Sequence, residues 1–363
     1  MIPARYQPTR PVPSTFSAIT DAYLQGDPLA DAAEAALSAL PDGQRQSWLA
    51  IAATGALPPE APEPLRALVA ALRVPLPRGD AGGLLFRGGL WCTQVLAAGS
   101  LMVAFASPAG NKALIQSGMF TQDALPRLLR TARYVVAVCD PGGLAPGAPG
   151  YRETLHVRLL HSRVRRRLLG TGTWNTDAWG LPVCQYDMAG TPLLFSVLLV
   201  EGLRKLGLEV GQEEADAFCL LWARAGRMMG VQPALAKESF EEGQALLHVL
   251  RDCDGPPDDD SRRLAAALVQ AGGAWTSPLL RHTLGPIRGP LTASVCRWTM
   301  GDEVADSLGL SPGAADHLLP MVRELIRVQN RVERLPRGRR LSRRLGRRLW
   351  QEMLEDQAPP RPT

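Results

Sequence analysis

Arg158-Leu159-Leu160-His161-Ser162-Arg163-Val164-Arg165-Arg166-Arg167 is the stretch on which the reading of this chain turns. Its apolar residues recur at helical spacing. In a helix, positions i, i+3 and i+7 share a face, so Arg158, His161 and Arg165 point the same way. One imidazole then stands between two permanent cations. Those cations raise the cost of protonating the ring, and a neutral imidazole is a metal ligand, while guanidinium groups beside it can fork onto carboxylates or propionates. An iron porphyrin needs both kinds of group. A solvated basic helix carrying a structural histidine accounts for the same residues, and the helix alone leaves both readings standing.

Upstream, Arg127-Leu128-Leu129-Arg130-Thr131 puts Arg127, Arg130 and Thr131 on one arc of a second helix, with Tyr134 following. Cations and a hydroxyl thus gather on an otherwise apolar helix. The two segments lie in a fixed order: Arg-x-x-x-Thr at Arg127 and Thr131, then Arg-x-x-His-x-x-x-Arg at Arg158, His161 and Arg165. They are followed by Trp174-Asn175-Thr176-Asp177-Ala178-Trp179-Gly180-Leu181-Pro182-Val183-Cys184-Gln185-Tyr186-Asp187-Met188, and by an apolar helix ending Glu201-Gly202-Leu203-Arg204-Lys205-Leu206-Gly207. That series resembles the b-type haem oxygenases grouped around latex clearing protein (rubber oxygenase) and the MpaB-type oxygenases, over roughly residues 85–230.

The resemblance implies an all-α fold, a large helical bundle with globin-like packing around a buried, non-covalent haem b. It implies His161 on the iron, with Arg158, Arg165 and Arg130 assisting the cofactor, and Arg127 and Thr131 as catalytic residues near the haem or its oxygen-binding side. Dioxygen and an apolar, unsaturated, isoprenoid- or lipid-like small molecule are the implied substrates. One departure stands out: the rubber-cleaving relatives are thought to use a carboxylate base upstream of the Arg-x-x-x-Thr segment, whereas no Asp or Glu occurs here between Asp80 and Asp123. Oxygen activation with different substrate chemistry follows, or reliance on the bound oxygen itself; the alternative function is a non-catalytic haem-binding or membrane-surface helical protein on the same scaffold.

The rest of the chain narrows the alternatives. With 46% apolar and 21% charged residues, its 363 residues have the composition of a globular protein able to bury an extended core. The net charge of +5 is local, because the arginines crowd into Arg331–Arg348 and the His161 helix, so no nucleic-acid partner is expected. Cys92, Cys139, Cys184, Cys219, Cys253 and Cys296 form no Cys-x-x-Cys pair, which argues against zinc ribbons, iron–sulfur clusters and covalent haem attachment; Cys139 and Cys184 remain as alternative thiolate ligands. Met1-Ile2-Pro3-Ala4-Arg5 does not open a leader, so a cytoplasmic location, with peripheral contact to the inner membrane, is the expectation. No nucleotide loop, Gly-x-Ser-x-Gly elbow or His-Glu-x-x-His motif occurs, and His156, His248, His282 and His317 stand alone.

Amphipathic spacing predicts helices around 28–39, 43–55, 62–73, 121–138, 151–168, 184–207, 211–229, 233–251, 258–271 and 311–332, separated by Pro- and Gly-rich joints. The uncharged run from Gly88 to Ala106 reads as a central buried helix in preference to a membrane span, Pro192 predicts a kink or a helix start, and Trp222, Met228 and Met229 read as core. The layout is an N-terminal helical cap (1–84), an oxygenase-like helical domain (85–330) and a basic C-terminal helix and tail (331–363). In that tail Leu341, Leu345 and Leu349 recur every fourth residue among arginines. This pattern suits a helix lying on an anionic membrane or one docking on the protein's own core, and both remain open.

Overall fold

The computed structural model of the chain describes residues 3–9, 11–117, 124–271 and 288–355, and every element among them is helical. His282 and the start of the helix predicted at 121–138 lie outside the described residues. The N-terminal part folds as α1 (Ala18–Ala22), α2 (Pro28–Ser38), α3 (Asp42–Ala52) and α4 (Glu63–Ala71). Asp27 starts α2 by accepting the Ala30 amide, and Pro28 fills the first helical position where a missing N–H costs nothing.

The uncharged run does not form one straight helix. It follows α5 (Gly83–Gly88) and divides into α6 (Leu90–Gln94), a π-helical stretch at Val95–Ser100, and α7 (Leu101–Phe105), after which α8 (Pro108–Gln116) turns away by 97°. Its residues are mostly buried, in line with a central position in the bundle. Then come α9 (Ala124–Cys139), α10 (Pro149–Gly170), the single turn α11 (Thr176–Trp179), α12 (Gln185–Phe195) and α13 (Val197–Leu206).

The apolar pattern at 184–207 is broken at Ser196, whose amide (3.0 Å) and hydroxyl (2.7 Å) both donate to the Pro192 carbonyl. Pro192 is therefore a kink inside α12, not a helix start. The span Gln185–Leu206 is long and apolar enough to cross a membrane, yet its apolar window is 61% buried inside the fold, as a core helix would be.

The chain continues through α14 (Gln212–Met228), α15 (Phe240–Cys253), α16 (Asp259–Ala271), α17 (Arg288–Met300), α18 (Asp302–Ser307), α19 (Leu319–Glu333) and α20 (Gly338–Glu355). Trp222 and Met228 are core, as their spacing predicts. α17 escaped the periodicity because Thr292 through Cys296 are all buried, so it shows no polar face.

One contiguous apolar cluster runs from Ile19 on α1 to Met353 on α20. Two buried cations tie remote parts of the chain to it. Arg5 reaches Asp187 (2.9 Å) and Asp254 (3.3 Å) while stacking on Tyr23 and Tyr186. Arg87 on α5 holds Glu214 of α14 (2.8 Å) and Glu333 of α19 (2.6 Å). The C-terminal helix packs tightly on α5: a Cβ on Gly346 would fall 1.8 Å from the Phe86 carbonyl oxygen, so only glycine permits the contact.

Candidate functional site

α10 is a scaffold of cations that the fold answers with carboxylates. Arg158 is buried, and its Nε and Nη2 fork onto Asp27 at 2.6 and 2.9 Å while Nη1 donates to the Met228 carbonyl at 3.0 Å. Arg165, also buried, donates to Asp31 at 2.5 Å and to the Val183 carbonyl at 2.8 Å. Arg163 forks onto Glu34 at 2.8 and 3.2 Å. Three carboxylates at the start and on one side of α2 thereby fix the orientation of α10 through charge-assisted, largely bidentate bonds.

The local backbone is bent to permit this. Gly230 (φ +101°) leaves room for the pair, because a Cβ there would lie 2.2 Å from Asp27 Oδ2 and 3.0 Å from Arg158 Nε. Val183 sits at φ +52°, a conformation that a β-branched residue adopts only under constraint, and it is its carbonyl that Arg165 holds. Gln185 laces the surrounding loops together, donating to the Gly26 and Gly230 carbonyls and accepting from the Gln232 amide.

His161 stands between these pairs on α10. Its pKa is pushed down to about 4, first by burial and then by the charges of Arg165 and Arg127, with Asp27 opposing. The ring is therefore neutral across the physiological range, and its Nδ1 is buried without a hydrogen-bond partner. A neutral imidazole with an unpaired ring nitrogen, held on an immobilised helix, fits a metal-ligand role. Among the described residues no group of three His, Cys, Asp or Glu side chains gathers as a separate metal site.

Burial raises the pKa of both Cys139 and Cys184, and Cys184 donates its thiol proton to Asp187 at 3.2 Å. That keeps both sulfurs in the poorly ligating thiol form.

α9 supplies the neighbouring wall. Arg127 lies close enough to His161 to depress its pKa, and its own pKa falls to about 10 through burial and the charge of Arg130, so it remains a cation in a poorly solvated place. The Thr131 hydroxyl donates back to the Arg127 carbonyl at 3.2 Å and is half-buried. Tyr134 shares a hydrogen bond with Thr154 of α10 (3.3 Å) and meets Trp222 edge-on at 6.2 Å, and Phe195 stacks on that indole at 4.8 Å. Thr154 is two turns, about 10 Å, along α10 from His161. Two shallow crevices lie elsewhere, the first beside Pro192 and Lys237, the second between Leu76–Gly82 and Val138–Leu144, and neither is lined by His161.

The structure brings Arg165 and Arg127 within electrostatic reach of His161, with Arg158 one turn before it on the same helix and the charge of Arg130 acting on Arg127. Arg130 lies at the solvent-exposed edge of the arc that it shares with Arg127 and Thr131, and its charge still lowers the pKa of Arg127. The guanidinium groups of Arg158 and Arg165, expected to fork onto carboxylates or propionates, engage the carboxylates of Asp27 and Asp31. The partners Asp27, Asp31 and Glu34 went unnoticed. Asp27 before Pro28 reads only as a helix cap, which it also is.

Comparison with known proteins supplies the rest. Rubber oxygenase from Streptomyces sp. (strain K30) is 23% identical over 225 residues, covering 61% of this chain and 53% of that protein, so the chain spans about half the length of that relative. The structure of latex clearing protein in the closed state aligns with a TM-score of 0.69 at 19% identity, covering 98% of this chain and 95% of that one, which shows a shared all-α fold. A family described as the catalytic domain of ER-bound oxygenase mpaB/B' and rubber oxygenase matches residues 85–331, more than half of the sequence, and the chain belongs to that family.

Proposed function

We propose that this protein is a haem b-dependent oxygenase that acts on an apolar, unsaturated small molecule, with His161 as the iron ligand. The observation that carries the reading is the state of His161: neutral, with a buried and unpaired ring nitrogen, on a helix clamped by carboxylates at Asp27, Asp31 and Glu34. Haem b, when bound, supplies a redox-active iron at which dioxygen is activated.

The chain's own residues do the rest. Arg158 and Arg165 serve the ligand indirectly by fixing the helix that carries the ring, and burial with the charges of Arg165 and Arg127 keeps the ring unprotonated. Arg127 brings a cation into a poorly solvated wall, where it would suit a haem propionate. Tyr134, Phe195 and Trp222 form a packed aromatic cluster that keeps water from this side of α10.

A second reading, haem binding without turnover, draws on the stretch from Ala81 to Gln122, which offers no carboxylate base. Oxygen uptake by haemin-reconstituted protein, measured with and without an unsaturated isoprenoid, separates the two. Substrate-dependent uptake supports the oxygenase, and haem binding with no uptake on any unsaturated isoprenoid or lipid supports the second reading.

A further inference from the structure

The C-terminal helices α19 and α20 carry a surface that the site does not use. On α19 the inward row Val322, Ile326 and Asn330 packs on the body, while Met321, Leu325 and Val328 project outward, and Leu335 in the joint between the helices is 62% exposed. α20 repeats the arrangement. Trp350 and Met353 are buried, whereas Leu341 and Leu345 stand 51% and 56% exposed. Such residues, single on most surfaces, recur here at i, i+4 and i+7 on α19 and at i, i+4 on α20, an apolar row on each of two consecutive helices.

Cations frame that row. Arg331, Arg337, Arg339, Arg340, Arg344 and Arg348 are exposed and make no ion pair or side-chain hydrogen bond within the described fold, while Arg343 and Arg347 are used to hold α20 to Asp80 and Asp140. The fold therefore divides the basic tail between cations that anchor the helix and cations left facing solvent.

We propose that this face docks on an anionic lipid bilayer, with the leucines entering the interface and the free arginines resting on headgroup phosphates. Charge decides between the possible occupants. The spacing of Met321, Leu325, Val328 and Leu335 would also suit a helix of a second copy, but that would bring two arginine-rich surfaces together with only Glu352 and Glu355 of α20, and Glu324 of α19 already paired with Arg327, as exposed acids on these helices to offset them. An anionic bilayer satisfies the apolar row and the cations at once. A nucleic acid would satisfy the cations alone and leave the leucines in water.

The test is co-sedimentation of the full chain with vesicles of equimolar phosphatidylcholine and phosphatidylglycerol, compared with vesicles of phosphatidylcholine alone. The protein should pellet with the anionic vesicles, release with added salt, and stay in solution with the neutral ones. Combined Arg339→Gln, Arg340→Gln and Arg344→Gln should weaken binding by about a hundredfold, at roughly fivefold per arginine. Combined Leu325→Gln, Leu341→Gln and Leu345→Gln should weaken it at least about tenfold, with helix content unchanged because all three side chains are exposed. Failure to pellet, or binding that survives both sets, overturns the proposal. A concentration-dependent dimer abolished by the leucine set assigns the face to a second copy and overturns it equally.

Discussion

Replacing Asp27 with Ala tests whether α10 is held by its buried ion pairs. Arg158 and Asp27 are only 4% and 5% exposed, so water cannot take over from the lost carboxylate, and the guanidinium keeps a single acceptor at the Met228 carbonyl. Removing one partner of a buried pair costs about 3–5 kcal/mol, and loss of the cap on the Ala30 amide adds ~1 kcal/mol. Against a global stability of roughly 5–15 kcal/mol, this is a large fraction. Asp31→Ala provides the internal contrast: Asp31 is 34% exposed and Arg165 retains the Val183 carbonyl, so the loss should be about 1–2 kcal/mol. Urea unfolding followed by tryptophan fluorescence and far-ultraviolet circular dichroism measures both, the difference appearing as a lower midpoint at unchanged slope. Arg158→Met combined with Asp27→Leu should recover most of the loss, since well-packed apolar groups often replace a buried pair without penalty. An Asp27→Ala cost below about 1 kcal/mol, or a double variant no better than the single one, would refute the clamp.

Three further outcomes follow from the same structure. Because the pKa of His161 is depressed to about 4, the unfolded chain takes up the proton first; stability conferred by the neutral ring is complete above about pH 6.5 and is lost as pH falls towards 4, by about 3 kcal/mol. His161→Gln should flatten that part of the stability profile of the haem-free protein, and an unchanged slope would contradict the assignment. Val183→Gly should raise stability by ~1 kcal/mol in thermal unfolding by releasing the positive-φ strain, and a loss of stability would show that side-chain packing outweighs it. Gly346→Ala drives a methyl group into the Phe86 carbonyl and should cost about 2–3 kcal/mol, seen as faster amide exchange across 338–355; undiminished protection would mean that α20 docks less closely than described.

The fold class was legible because most helices here are amphipathic and are punctuated by proline and glycine: Asp27-Pro28 marks the start of α2, and Gly207 closes α13 in a left-handed turn. What periodicity cannot report is a helix buried on every side, such as α17, or a break whose cause is a single hydroxyl, as at Ser196. The His161 neighbourhood was legible from spacing on α9 and α10, since i, i+3 and i+7 fix a common face whatever the rest of the chain does. The partners of its cations were not legible. Asp27 and Arg158 stand 131 residues apart in sequence, and no local pattern couples them. The tail was half legible: its leucine spacing showed an amphipathic helix, and Gly346 and Trp350 decided which side faces the core.

The account stands or falls on whether His161 binds haem iron, and the optical absorption spectrum of the purified protein beside that of His161→Ala measures this most directly. Protein produced with iron and haem precursor should carry haem b that extracts into acidified organic solvent, because no Cys-x-x-Cys-His motif is present to attach it. His161→Ala should lose the haem or hold it weakly with a shifted Soret band, partly restored by added imidazole, while Arg158→Ala and Arg165→Ala retain a histidine-type spectrum at lower occupancy. A colourless folded protein that does not take up haemin, or an unchanged spectrum and occupancy in His161→Ala, would contradict it.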